Sequence, residues 1–523
     1  MTKYLINRIL RGILSVGIVV AIVMVMIYSL MDRNLIFTKD PTFTHQNNNN
    51  KIVYMYSKWE EYGYLDYVPY TDWLISLVKD GTISDETRAK AAGIGWTAAD
   101  DSAFVAQYVA QFTEYYESQG YTIERLDAVT LSGRKLAGGG NPQLFAYRNI
   151  PLINRVWKYF TGVIKVDSIH AVTQDVGERG LTFTLYDPVY GGEKFSPAII
   201  GNGTTHKYLL YFTDEFPYMH QNVFQLKLGT SYSVNAGVDV WDTMTQAQGS
   251  YVLSEVIFPT GLTEMSADDL HSATYAAGSR EGNKVLIDRF TDEYTNVQTN
   301  KNNMSKMGFS FTIGIIAAVM AYALGVPIGI AMARRKDGLL DKIGTVYIVF
   351  IIAMPSLAYI FLFKALGGKV GFPTTFDMVN PTWLMFVLPV ISLALPSIAD
   401  LMKWIRRYMI DQMNADYVKF ARSEGLSERE IFWRHILKNA TIPIVHGIPA
   451  VILGALVGAI ITERVYVVPG AGNMLTQAIN AYDNGVIVGL TMFYAALSVI
   501  AIILGDILIT LVDPRISFTT KDR

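Results

Sequence analysis

Six apolar runs constrain this chain more than anything else in it: Ile9–Met31, Met307–Ala333, Ile343–Phe363, Leu384–Met402, Ile444–Ile461 and Val486–Val512. A helix needs roughly 20 apolar residues to cross about 30 Å of hydrocarbon. Inside that layer the backbone must satisfy its own polar groups, so continuous runs of this length read as membrane helices. The first run stands alone near the N-terminus, and the other five are crowded after residue 306. Lys3, Arg8 and Arg11 precede the first run as they would in a signal peptide. The run is long, however, and Ser29-Leu30-Met31-Asp32 makes a poor cleavage site, so an uncleaved anchor is expected.

Lys and Arg near the span ends set the orientation. With the N-terminus inside, Arg334, Arg335, Lys336, Lys342, Lys403, Arg406, Arg407, Lys419, Arg422, Arg429, Arg434 and Lys438 also fall inside. The tail cations Arg515, Lys521 and Arg523 join them, and the short outer loops keep only Lys364, Lys369 and Arg464. Both termini are therefore expected in the cytoplasm, and residues 32–306 outside. That interval is long enough to bury a core. Thr97–Gln119 carries apolar residues at helical spacing, with Phe104, Val105, Tyr108, Val109 and Phe112 recurring. Leu181–Tyr186, Lys207–Phe212 and Val223–Leu228 read as strands, the first two bounded by Asp187-Pro188 and Asp214. Asn47–Asn50 and Gly138–Asn141 read as loop tips. The expected fold is a six-helix all-α membrane domain with a large α+β extracellular domain inserted between helices 1 and 2. Its divisions are 1–31 (N-terminal end and first span), 32–306 (extracellular domain) and 307–523 (five-helix core), the last with a cytoplasmic loop at 403–443.

Composition excludes several functions. Only 17% of residues are charged against 51% hydrophobic, and the net charge of −2 implies no nucleic-acid partner. There is no cysteine, hence no disulfide, thiolate metal site or cysteine nucleophile. The 7 histidines are scattered without ligand spacing, and no phosphate-binding G-x-x-x-x-G-K-[ST] or G-x-S-x-G elbow occurs. The chain reads as neither an enzyme nor a resident-metal protein. Within the spans, Gly325/Gly329 and Gly454/Gly458 put small residues on one helix face, most simply for packing. Pro327, Pro355, Pro389, Pro396, Pro443 and Pro449 mark bends. Asp400, Glu463 and Asp506 are ionisable groups in or near spans. Glu463 is expected at the outer interface, and Asp506 paired within the bundle.

One polar stretch interrupts the apolar core, DYVKFARSEGLSEREIFWRHILKN from Asp416 to Asn439. Ala415 to Glu424 has helix-forming composition, and Gly425 stands where a left-handed cap would end a helix. Ser427 and Glu430 have capping-box spacing, and Leu426 and Ile431 have staple spacing. A helix, a glycine turn and a second short helix follow, with Ile431, Phe432, Ile436 and Leu437 available to pack. By itself this is also what an ordinary helical hairpin would look like.

Together with ERVYVVPGAGNML (463–475) and DILITLVDPRI (506–516), this stretch resembles the permease subunits of binding-protein-dependent ABC importers, dipeptide/oligopeptide branch. The resemblance runs from about Asn300 to Arg515. Of the family's cytoplasmic signature, E-A-A-x-x-x-G-x9-I-x-L-P, Ala421, Gly425 and Leu437 hold, whereas Lys419, Phe420, His435 and Lys438 depart. His435-Ile436-Leu437-Lys438-Asn439 is the form usual in the peptide branch. The enlarged outer segment and the opening MTKYLINRILRGILS are similar to the first permease of the Ami/Opp oligopeptide systems of Gram-positive cocci.

The resemblance implies a transport subunit without an ATPase site of its own, set in the plasma membrane lipid. A second homologous permease would complete the translocation path, whose lining residues the sequence does not identify. Two ATPase subunits would carry the ATP and Mg, so this chain would bind no cofactor. An extracellular lipoprotein would deliver oligopeptides. The coupling contacts implied are Ala421, Gly425, Leu426, Ser427, Glu428, Glu430, Ile431, Arg434, His435, Leu437, Lys438 and Asn439. Other readings are import of nickel or another small solute within the same family, and a membrane-anchored peptide sensor or receptor.

Overall fold

The computed structural model describes residues 2–512 except 133, 137, 173–175, 188–191, 194, 213–218, 247, 249–253, 258–262, 267–303, 379 and 381. Pro188, Asp214, the tail cations and the end of DILITLVDPRI lie outside the described residues. By internal contacts the chain divides into two compact units. One is Met1–Val20, Val163–Asn480 and Val486–Arg523; the other is Ala21–Gly162 with Ala481–Gly485.

Helix α1 (Thr2–Leu30) is the first span. The smaller unit takes in the end of α1 and continues with α2 (Asn48–Glu61), β1 (Leu65–Pro69), α3 (Tyr70–Lys79), α4 (Ala103–Glu117), β2 (Thr122–Leu126), β3 (Gln143–Asn149) and α5 (Leu152–Gly162). Its sheet is antiparallel, in the order β1-β3-β2. Successive side chains of a strand point to opposite faces. On β3, Leu144 and Ala146 pack with Tyr70, Trp73 and Phe112, while Phe145 meets Tyr56 and Tyr67. The strand is thus covered on both faces, which explains three consecutive buried residues. Helix α4 starts later than its apolar pattern suggested, because the Ser102 hydroxyl accepts from the Val105 N–H and fixes the start there. The two expected loop tips meet each other. Asn49 is buried inside α2, its side chain donates to the Asp127 and Asn141 carbonyls at 2.8 Å, and its N–H bonds the Gly139 carbonyl.

The larger unit carries a four-stranded antiparallel meander, β4 (Gly180–Thr184), β5 (Ala198–Asn202), β6 (Tyr208–Phe212) and β7 (Met219–Gln221), each paired with the next. The third expected strand appears as Phe224–Leu226, paired with Ile164–Val166. The α+β character expected between the first span and the permease core is therefore present.

The core helices are α6 (Lys306–Arg334), α7 (Leu339–Ala353), α8 (Ser356–Lys369), α9 (Leu384–Met413), α10 (Asp416–Ser423), α11 (Ile448–Tyr466), α12 (Ala471–Asn480) and α13 (Asn484–Val512). Among the described residues five helices are long and apolar enough to span, and α7 with α8 form a pair bent by 110°. The third expected span is therefore broken. A residue before proline is pushed out of the helical region, and proline cannot donate the helical hydrogen bond. Met354 is accordingly extended at φ −84°, ψ 129°, and Pro355 starts the new helix. By contrast, Pro389 and Pro396 are absorbed within α9.

The Gly325/Gly329 face packs α6 tightly against α9. An added Cβ at either glycine would lie 3.0 Å from the Cβ of Leu401 or Ile405. Gly454 shows no such need, since nothing lies within 4 Å of its added Cβ. Tyr347 donates to the Leu395 carbonyl at 2.8 Å, and Arg406 of α9 grips Asp341 of α7.

Candidate functional site

The polar stretch between α9 and α11 folds from its own local chemistry. Ala415 is extended and opens α10. At the far end Gly425 has φ +85°, the Leu426 N–H reaches the Ala421 carbonyl, and the Gly425 N–H reaches the Arg422 carbonyl. These two bonds close a Schellman turn, which needs a left-handed residue at that position. No atom lies within 4 Å of a Cβ added to Gly425, so glycine is required by backbone conformation and not by crowding. Ser427 then caps the next helix. Its hydroxyl accepts from the Glu430 N–H, and the Glu430 carboxylate accepts from the Ser427 N–H, both at 3.3 Å.

The structure corrects the expected short second helix. Helix Glu428–Glu430 widens into a π-helical turn, Ile431–Leu437, and continues through Lys438–His446 and Gly447 into α11. The turn thus hangs between two long elements, α9 and a helical run from Glu428 to Tyr466. Wide turns of this kind occur often at functional positions.

The expected coupling residues separate by exposure. Ala421 and Ile431 are buried, beside Val418 and Ile436, in the same apolar cluster as Ile405 and Met409 of α9. Leu426, His435, Leu437 and Asn439 are half-buried, while Gly425, Ser427, Glu428, Glu430, Arg434 and Lys438 are exposed. The outward face also carries Phe420 and Trp433, 66% and 59% exposed, which the sequence reading did not select. Val418 and Ala421 mark the inward face of α10, and Phe420 lies off that stripe. A bulky aromatic off the buried stripe was the available signal. Arg422 bonds Glu428 across the glycine turn at 2.7 and 3.2 Å. That hydrogen bond holds the Glu428 carboxyl below its usual range and the Arg422 guanidinium above its own.

The other ionisable groups in or near the spans differ in their surroundings. Asp506 of α13 accepts from Arg8 at 3.1 Å and Tyr4 at 3.0 Å, both on α1. Glu463, expected at the outer interface, is fully buried by neighbouring protein. Its carboxylate accepts from the Ser310 hydroxyl of α6 at 2.6 Å and the Asn473 N–H at the start of α12 at 2.8 Å. Buried carboxylates require such partners. Asp400 remains exposed. Among the described residues no group of three or more His, Asp or Glu could hold a metal ion.

Residues 325–518 match the family described as the inner membrane component of binding-protein-dependent transport systems. The oligopeptide transport system permease protein AmiC of Streptococcus pneumoniae is 35% identical over 531 residues, covering 100% of this chain and 99% of AmiC. The chain belongs to this permease family. It is the permease component of an AmiC-like ABC transporter, not its ATPase, and a multi-pass protein of the cell membrane. The dipeptide permease DppB of Lactococcus lactis is 32% identical over 225 residues, or 43% of this chain and 73% of DppB. The DppB of Bacillus subtilis matches likewise, 31% identical over 227 residues, or 42% of this chain and 72% of DppB.

Proposed function

We propose that this permease imports oligopeptides. It forms the translocation path with a second homologous permease, is driven by two separate ATPase subunits that carry the ATP and Mg, and receives peptide from an extracellular lipoprotein. The observation that carries this reading is the full-length likeness to an oligopeptide permease, which includes the enlarged segment between the first two spans. The DppB proteins match less than half of the chain.

The element at 416–446 is the coupling contact. It is stiffened by the glycine turn, the capping box and the Arg422–Glu428 bridge, and it continues directly into membrane helices at its far end. A stiff element joined to spans can act as a lever between two packings of those spans. Phe420, Trp433 and Arg434 offer the aromatic and cationic side chains that dominate protein interfaces. Lys and Arg asymmetry supports an orientation with this element and both termini in the cytoplasm and residues 32–306 outside.

The test is to purify the tagged chain gently from its native membrane and quantify its partners by mass spectrometry. One homologous permease and two ATPases in near-equal amounts support the proposal. The chain alone, or with signalling proteins, points to a receptor and overturns it.

A further inference from the structure

Helix α5 has more apolar surface than the protein covers. Its sequence, LINRVWKYFTG, places Leu152, Ile153, Val156, Trp157, Tyr159 and Phe160 on one side of the helix. Asn154, Arg155, Lys158 and Thr161 fill the opposite side. The protein half-covers Leu152, Val156, Tyr159 and Phe160. Ile153 and Trp157, one turn apart, remain 74% and 72% exposed.

The surroundings of Arg155 fix where this face lies. Its guanidinium stands 3.7 Å from the ring centre of Tyr28 and 4.0 Å from that of Tyr64. Tyr28 belongs to the last turn of α1, the end of the first span. Tyr64 is held in turn by the Asn484 side chain at 2.8 Å. Helix α5, about 16 Å long at about 1.5 Å per residue, is therefore pinned where the first span leaves the hydrocarbon. Val25, Met26 and Leu30 near that end of α1 are themselves exposed, so apolar surface is uncovered on both helices there.

We infer that α5 lies in the membrane–water interface, with Ile153 and Trp157 seated among the lipids of the leaflet at the far end of the first span. The composition fits lipid. Tryptophan and tyrosine concentrate at headgroup level, and interfacial helices combine an apolar face with Lys or Arg on the polar one. The exposed side of the helix carries Lys158, and the helix has no acidic residue, which suits anionic headgroups. Its docking fixes the height of the smaller unit against the bilayer. This leaflet is the outer one only on the orientation proposed above.

The cysteine-free sequence makes the test direct. Ile153→Cys, Asn154→Cys, Trp157→Cys and Lys158→Cys are each placed in the assembled transporter, in intact cells lacking the binding protein. A membrane-impermeant maleimide should label positions 154 and 158 rapidly and positions 153 and 157 several-fold more slowly. In reconstituted membranes, a fluorophore at 157 should be quenched by lipids carrying a headgroup-level nitroxide. Equal labelling at 157 and 158 overturns the inference. So does protection of 157 without lipid quenching, which would assign the face to a protein partner. Labelling of 158 only after permeabilisation would instead overturn the orientation, and lipid quenching at 157 would still decide the interfacial seat.

Discussion

Asp101 shows how single polar contacts organise the smaller unit. Burial raises the pKa of this carboxyl, but the bidentate Arg125 guanidinium, at 2.7 and 3.0 Å, and the Gly95 N–H outweigh it, so the net shift is downward. A carboxyl whose folded pKa is depressed contributes stability that is fully present above its unfolded value, about 3.9, and lost as pH falls through the folded value. Acidification below about pH 4 should therefore open the Gly95–Arg125 corner, read as faster hydrogen exchange across Thr122–Leu126. Asp101→Asn should weaken the unit by about 2–3 kcal/mol, the scale of hydrogen bonds to charged groups, and flatten that acid response. An unchanged acid response in Asp101→Asn would assign it to another group. Legibility at this scale follows sequence distance. Gly425, Ser427 and Glu430 were readable because their partners lie within a turn or so of helix. Asn49 was not, because it bonds carbonyls 78 and 92 residues away. The burial of Glu463 was hidden for the same reason, its Ser310 partner being 153 residues distant.

At the scale of elements, the glycine-turn segment presents an apolar inside and a mixed aromatic and basic outside. Truncating a well-packed interface aromatic commonly costs about 1–2 kcal/mol or more, about tenfold in affinity. Phe420→Ala and Trp433→Ala should each reduce ATPase retention on the purified permease by about that factor, with membrane insertion intact. Retention at the wild-type level in both would place the ATPase elsewhere. Periodicity revealed the helices, but not how they join. The break at Pro355 was signalled by a proline, yet Pro389 and Pro396 give the same signal and bend nothing apart. The difference lies in tertiary packing, which local sequence does not encode. Continuation of the Glu428 helix into α11 was likewise hidden, because Pro443 and Pro449 read as bends. In the structure Gly447 keeps a helical conformation, and Pro449 falls in the first turn of α11, where its missing N–H costs nothing.

At the scale of the whole molecule, the apolar runs and the charge asymmetry were sufficient to expect a polytopic membrane protein with one large interval between spans. The internal order of that interval was less legible, since its strands pair through contacts that no short motif announces. In the most apolar stretches of α1 and α13 few residues are fully buried by the rest of the chain, as expected of spans that face lipid or a partner subunit. The proposed coupling element has one vulnerable joint. Gly425 holds φ +85°. That left-handed conformation costs a residue with a Cβ about 1–2 kcal/mol. The decisive measurement is ATP-driven uptake of a labelled oligopeptide by the complex reconstituted with its binding protein, comparing wild type with Gly425→Val. The variant should assemble with both ATPases yet import at about a tenth of the wild-type rate or less, since about 1.4 kcal/mol is tenfold. Wild-type uptake by an assembled Gly425→Val complex would contradict the account.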